Sequence, residues 1–204
     1  MSKEFENLKW YLQAEGQDKS DGYLVDFSKM TVEERDESFD LLKNAIQEDS
    51  QAISALARLD IERAIPILEA EAAIDLQSDL RKVILNGELW KATENPKYSK
   101  ALSGLLKSKL ESARRRSLTY IEECSCYSKD IAEALKARVL IEDKPPIRSR
   151  AAKILMALHQ SVSKVVPAES QQKHLISLLN SVQSVEERGQ GLLLLEKICP
   201  VYWT

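Results

Sequence analysis

An arginine recurs at Arg114, Arg148 and Arg188, 34 and 40 residues apart, and each time it opens the same short pattern. Three residues on stands a small side chain (Ser117, Ala151, Gly191), and seven on an aliphatic one (Ile121, Leu155, Leu195). Each arginine follows a leucine-rich run by 8 or 9 residues; the runs end at Leu106, Leu140 and Leu179. Arg81, 33 residues before Arg114, opens a weaker copy: Ile84 holds the third position, but Glu88 stands at the seventh and the apolar residues fall at Leu85 and Leu89. Spacings of three and seven put these side chains on one face of a helix. A helix pair cannot bury such a stripe alone, so a recurring pair must stack on its neighbours.

Composition agrees with helices. Only 6 Gly and 6 Pro occur in 204 residues, and the chain is rich in good helix formers. No run of apolar and polar residues alternates long enough to make a strand. Residues 3–14 carry Phe5, Leu8 and Leu12 at helical spacing. The polar stretch Glu15–Lys29, with Gly16, Asp18, Ser20, Asp21 and Gly22, reads as a connection. Thr31-x-x-Glu34 is a capping box and opens the next helix. Breaks follow at Glu48–Ser50, Asp60, Asp75–Ser78, Asn95-Pro96, Lys109, Cys124–Ser128, Asp143–Pro146, Pro167 and Ser184. Pro146 fits a helix start, whereas Pro66 falls one turn inside its helix and calls for a kink or a late start.

These units resemble the short bacterial repeats of the HEAT family. The likeness is carried by Asp60–Leu68, by Asn95–Leu106 with Glu111–Arg114, by Ile131–Leu140 with Pro146–Arg148, and by Leu175–Leu179 with Glu186–Arg188. It covers about residues 31–199 and departs in the first pair (31–59), which lacks the arginine, and at an insertion over 161–170. The resemblance implies an all-α, HEAT-like α-solenoid of about five antiparallel helix pairs, wound as a right-handed superhelix. Residues 1–30 form an N-terminal helical extension and connection, and residues 31–204 the repeat domain. Within such a fold the arginines are expected to bond carbonyls or acids of the adjacent repeat. Small residues such as Ala151 and Gly191 are expected to let successive second helices approach closely.

Chemistry-bearing motifs are missing. There is no glycine-rich phosphate loop, no Gly-x-Ser-x-Gly elbow and no His-Glu-x-x-His. The cysteines Cys124, Cys126 and Cys199 and the histidines His159 and His174 lack metal-ligand spacing; the thiols read as packing residues and the histidines as surface or half-buried structural ones. The expectation is a protein that is not an enzyme and takes no cofactor and no metal. No apolar stretch reaches the length of a membrane span, and the first ten residues lack the layout of a signal peptide, which together imply a cytoplasmic protein.

Charge then suggests a partner. Residues 1–100 hold 13 basic and 21 acidic residues, net −8, and residues 101–204 hold 16 and 11, net +5. An acidic front suits a basic protein surface, and it disfavours nucleic acid despite the run Arg114-Arg115-Arg116. Solenoids of this family chiefly bind proteins. Small, acidic-fronted, HEAT-like chains further resemble immunity proteins, which bind and neutralise a cognate bacterial toxin domain, often a basic nuclease. The alternatives are a scaffold or adaptor, or a DNA-repair or lyase-type accessory protein. Partner contacts are expected off the arginine stripe of the second helices, at Glu88, Trp90, Arg115, Tyr120, Glu122 and Lys153, flanked by Asp75 and Asp79, with Trp90 and Tyr120 as anchors.

Overall fold

A computed structural model describes residues 1–14, 23–74, 77–125, 127–182 and 184–201. Among these residues the secondary structure is helical throughout, and no strand occurs. Helix α1 (Lys3–Gln13) precedes a single 3-10 turn (Phe27–Lys29). Five consecutive pairs follow. They are α2 (Val32–Ala45) with α3 (Ser50–Leu59), α4 (Ile61–Ala72) with α5 (Asp79–Thr93), and α6 (Pro96–Leu105) with α7 (Glu111–Glu123). The last two are α8 (Lys129–Ile141) with α9 (Pro145–Ser163), and α10 (Glu169–Leu179) with α11 (Val185–Ile198). Every break read from the sequence falls between two of these helices or runs into the first turn of the second, as at Ser50, Pro96 and Pro146, apart from the residues at 75–76 and 126, which lie outside the described set. Pro145 and Pro146 occupy the first turn of α9, where a missing N–H leaves nothing unpaired. Pro66 lies inside α4, which starts at Ile61, so neither the first turn nor a late start accommodates it. It removes the N–H that the Glu62 carbonyl would otherwise receive, and both residues are exposed to water.

The helix starts are set by short polar side chains. Ser2, Asp49, Asp60, Ser78, Asn95, Ser128 and Ser184 each accept a backbone N–H of the following turn. Thr31 and Glu34 form the full capping box that their spacing foretells. Asp60 is the sole residue between α3 and α4; it ends one helix and caps the other.

The chain divides into two compact units, Met1–Glu94 and Asn95–Thr204. In the first, α3 packs against α2, α4 and α5, and α1 packs on α2. The residues before α2 are part of this core. Tyr23, Val25 and Phe27 alternate inward while Leu24, Asp26 and Ser28 face out, so the end of what reads as a polar connection is an extended strap. The Arg58 guanidinium donates to the Tyr23 carbonyl, and the Tyr23 hydroxyl donates to Asp49 Oδ2 at 2.8 Å. The glycines and acids of the stretch up to Gly22 lie outside the described residues.

In the second unit, α6 packs on α8 and α7 on α9, first helix on first and second on second. The last pair departs from this. Helix α11 packs against both α8 and α9, and α10 against α9. Part of the inserted sequence at 161–170 lengthens α9, which at 19 residues is the longest helix described. Gly191 lets the two helices of this pair approach closely: a Cβ there would lie 2.9 Å from Leu178 Cβ and 3.0 Å from Leu179 Cδ2. The close approach is thus to α10 of the same pair, not to a preceding second helix as the repeat pattern implies.

The recurrent stripe is buried at every member: Ser117 and Ile121, Ala151 and Leu155, Gly191 and Leu195. So are the arginines that open it. Arg148 is 2% exposed. Their guanidinium groups reach the ends of helices, where the last carbonyls have no intrahelical donor. Arg81 donates to the carbonyl of Ile46, the residue that ends α2, and to Glu71 Oε2 at 2.8 Å. Arg114 donates to the carbonyls of Ser108 and Lys109, just past α6, at 3.0 Å each. Arg148 donates to the Glu142 carbonyl (2.8 Å) at the end of α8 and to the Asn180 carbonyl (3.4 Å) at the end of α10. Arg188 donates to Ser181 O (2.8 Å) and to Leu140 O (2.7 Å). A cation at a helix C-terminus also meets the negative end of the helix dipole. The recurring arginines therefore act as rivets between helix ends.

Candidate protein-binding surface

The surface that can meet a partner is what the rivets leave outside. On α7, Arg115, Thr119 and Glu122 follow at spacings of four and three and turn away from the core. On the adjoining α9, Arg150 and Lys153 do the same. Arg150 ties the two helices: its Nε and Nη2 donate to Glu122 Oε2 at 2.8 and 2.6 Å, and its Nη1 donates to Thr119 Oγ1 at 2.9 Å. Arg115 donates to Glu111 Oε1 at 2.6 Å, one turn back along α7. The α7–α9 face is therefore a mixed-charge surface, and it gathers three expected contact residues, Arg115, Glu122 and Lys153.

The other expected contacts sit elsewhere. Tyr120 is 1% exposed and belongs to the core of the second unit, its ring covered by the Arg116 guanidinium at 5.0 Å. Burial, not display, is its situation, because position 120 follows the buried Ser117 by three and shares its face. Glu88 is buried in the first unit, where its Oε1 accepts the Ser54 hydroxyl at 2.7 Å and joins α5 to α3. Trp90 and Asp79, both on α5, are half-buried. Asp75 lies outside the described residues.

The run Arg114-Arg115-Arg116 does not make one patch, since consecutive helical residues point about 100° apart. Arg114 turns inward and binds Glu142 through both carboxylate oxygens, Nε to Oε2 at 2.8 Å and Nη2 to Oε1 at 2.9 Å. Arg138 Nη1 adds a third bond to Oε2 at 3.1 Å, and the Lys144 N–H a fourth to Oε1 at 3.2 Å. Burial alone raises a carboxyl pKa; here the Arg114 and Lys144 bonds outweigh it and hold Glu142 below the ordinary range. The Arg114 guanidinium rises in turn through its hydrogen bonds to Glu142. Sequence reasoning missed Glu142 and Arg150. Glu142 sits in the turn Glu-Asp-Lys-Pro-Pro with nothing to mark one acid as internal, whereas Arg150, two residues past Arg148, could have been placed on the outer flank of α9.

The first unit presents a different surface. Counted over Met1–Glu94 it holds 11 basic and 21 acidic residues, net −10; Asn95–Thr204 holds 18 and 11, net +7. Glu33, Asp36, Glu37 and Asp40 all face solvent on α2. Arg63 pairs with Asp36 at 2.6 Å and Lys9 with Glu37 at 2.8 Å, while Glu33 and Asp40 carry no ion pair among the described residues. Among the described residues no three His, Cys, Asp or Glu side chains are grouped to hold a metal ion, and no helix is long and apolar enough to cross a membrane. His174 is exposed; His159 is buried beneath α11.

No protein-family model matches the chain, and neither does any curated protein or solved structure.

Proposed function

We propose that this chain is a non-catalytic protein-binding module that neutralises a cognate bacterial toxin domain bearing a basic surface, as an immunity protein does. The observation that carries this reading is the division of charge: the first unit holds a net −10, with four carboxylates displayed along α2. Such a surface accelerates encounter with a basic partner and penalises acidic ones, so it favours one class of target. Stacked helix pairs of HEAT type, the finer reading of the fold, are supported by the five consecutive pairs and by the rivets that recur in them.

The test is functional. The tagged chain, captured from its native host, is expected to bring down one stoichiometric partner with a small basic domain. Expression of that domain alone should be toxic, and co-expression of this chain should relieve the toxicity. Absence of any partner, or a partner whose expression is harmless, overturns the reading; several unrelated host proteins would point to an adaptor instead. Reversing two exposed acids, Glu33→Lys with Asp40→Lys, should slow association at low salt and leave the fold intact. An unchanged association rate removes α2 from the interface.

A further inference from the structure

Helix α11 ends over a buried histidine. His159, on α9, is 2% exposed, and its Nδ1 lies 2.8 Å from the carbonyl of Cys199, the residue that ends α11. A carbonyl only accepts, so Nδ1 must carry the hydrogen and the neutral ring keeps Nε2 bare. Any further proton therefore goes to Nε2. The charged groups whose field reaches the ring are Glu133 and Lys136 from α8 and Glu196 from α11. Lys136 stands between the two acids, donating to Glu133 Oε1 at 3.0 Å and to Glu196 Oε1 at 2.6 Å, so both already serve a cation. The Cys199 thiol closes the cluster: it is fully buried and donates to the Val165 carbonyl at 3.4 Å. The opposite end of α11 is held differently, by Arg188 on two carbonyls.

We infer that His159 is a proton-sensitive latch: neutral, it fastens the C-terminal end of α11, and on protonation that end lifts and uncovers the Cys199 thiol while the Arg188 end stays riveted. A charged imidazolium in this place would keep its bond to Cys199, but it would be buried and repelled by Lys136, and the cost of burying the charge exceeds what the helix end returns. Burial accordingly holds the His159 pKa below its ordinary 6.5; Lys136 adds to the effect, while the Cys199 bond and the Glu196 and Glu133 carboxylates oppose it without overcoming it. The sign follows. The undocked ring binds protons more tightly than the docked one, so docking is firm above about pH 6.5 and weakens as pH falls below it. Each unit by which the docked affinity is lower gives about a tenfold shift toward the open form. His174, by contrast, is exposed.

The measurement is the reactivity of Cys199 toward 4,4′-dithiodipyridine in the full chain carrying Cys124→Ser and Cys126→Ser. Rates are normalised to N-acetylcysteine at the same pH. The normalised rate should rise several-fold from pH 7.5 to pH 5.0, with a midpoint that tracks the His159 ring resonances. His159→Asn, which keeps an amide donor near the Nδ1 position and has no titration, should flatten the profile; His174→Asn should not. A flat profile in the parent chain, or an equal rise in His159→Asn, overturns the latch. Should His159→Asn fail to fold, amide exchange of the unaltered protein decides. Loss of protection at pH 5.0 confined to the last turn of α11 supports the latch, and uniform loss across the second unit refutes it.

Discussion

The two units fasten their helix ends with the same side chain and balance its charge in opposite ways. In the first, the half-buried Arg81 meets a carboxylate: Glu71 accepts its guanidinium at 2.8 Å and also receives the Gln47 amide. In the second, four buried arginines share one buried carboxylate, Glu142, which serves Arg114 and Arg138 and leaves Arg148 and Arg188 on carbonyls alone. Burial and the neighbouring Arg188 press the Arg148 guanidinium below its ordinary pKa. The Nε atoms of Arg138, Arg148 and Arg188 are buried without an acceptor. A guanidinium can thus be buried without an acid when helix ends supply the negative partial charge, and the surplus positive charge then becomes part of the core.

Removing the acid should separate the two units most sharply. Glu142→Gln strands two buried guanidinium groups and is expected to destabilise by about 3–5 kcal/mol, whereas Glu71→Gln, beside a partly solvated partner, should lose about 1–2. Urea denaturation of both variants checks this, and equal losses would erase the distinction between the units. The same carboxylate sets an acid limit. Because Glu142 is held below its ordinary pKa, its contribution is intact at neutral pH and fades as pH falls below about 4.5 toward its lowered value. The Glu142→Gln chain should lack that part of the acid transition.

Glycines offer a second contrast, within the second unit. Gly191→Ala drives a Cβ into Leu178 and should lower stability by about 1–3 kcal/mol. Gly104→Ala, in the last turn of α6, meets nothing within 4 Å and should raise it by up to about 1 kcal/mol. Thermal melts that moved both in the same direction would contradict the packing described for α10 and α11. The smallest effect is expected at Ser117, whose hydroxyl is fully buried with no partner. Ser117→Ala should be neutral or stabilising by about 1 kcal/mol, and a measured loss would reveal a hydrogen bond that the packing does not provide.

Helix positions were legible because caps and breaks are local. Thr31, Asp60, Ser128 and Ser184 each act within three residues of themselves, and the structure places helix starts at all four. The arginine stripe was legible because a period of three and seven needs no partner to be seen. What stayed hidden depends on distant chain. The strap at Tyr23–Phe27 alternates with period two over too few residues to stand out beside Gly22 and Asp26. Tyr120 looked like an anchor because aromatic residues dominate many interfaces, yet nothing in its spacing from Ser117 differs from that of a core residue. Glu142 became internal only because α7 delivers Arg114 to it from 28 residues away.

Asp60 has a consequence for the history of a chain like this. With one residue serving as the end of α3 and the cap of α4, the joint has no slack. Its N–H is given to Leu56 O, its carbonyl receives the Ala64 N–H, and its side chain receives the Arg63 N–H. An inserted or deleted residue would rotate α4 by about 100° about its axis and turn Ala64 and Leu68 away from the core. Length variation among descendants should therefore bypass this joint and accumulate between α9 and α10, where Lys164–Ala168 can lengthen without turning a packed helix.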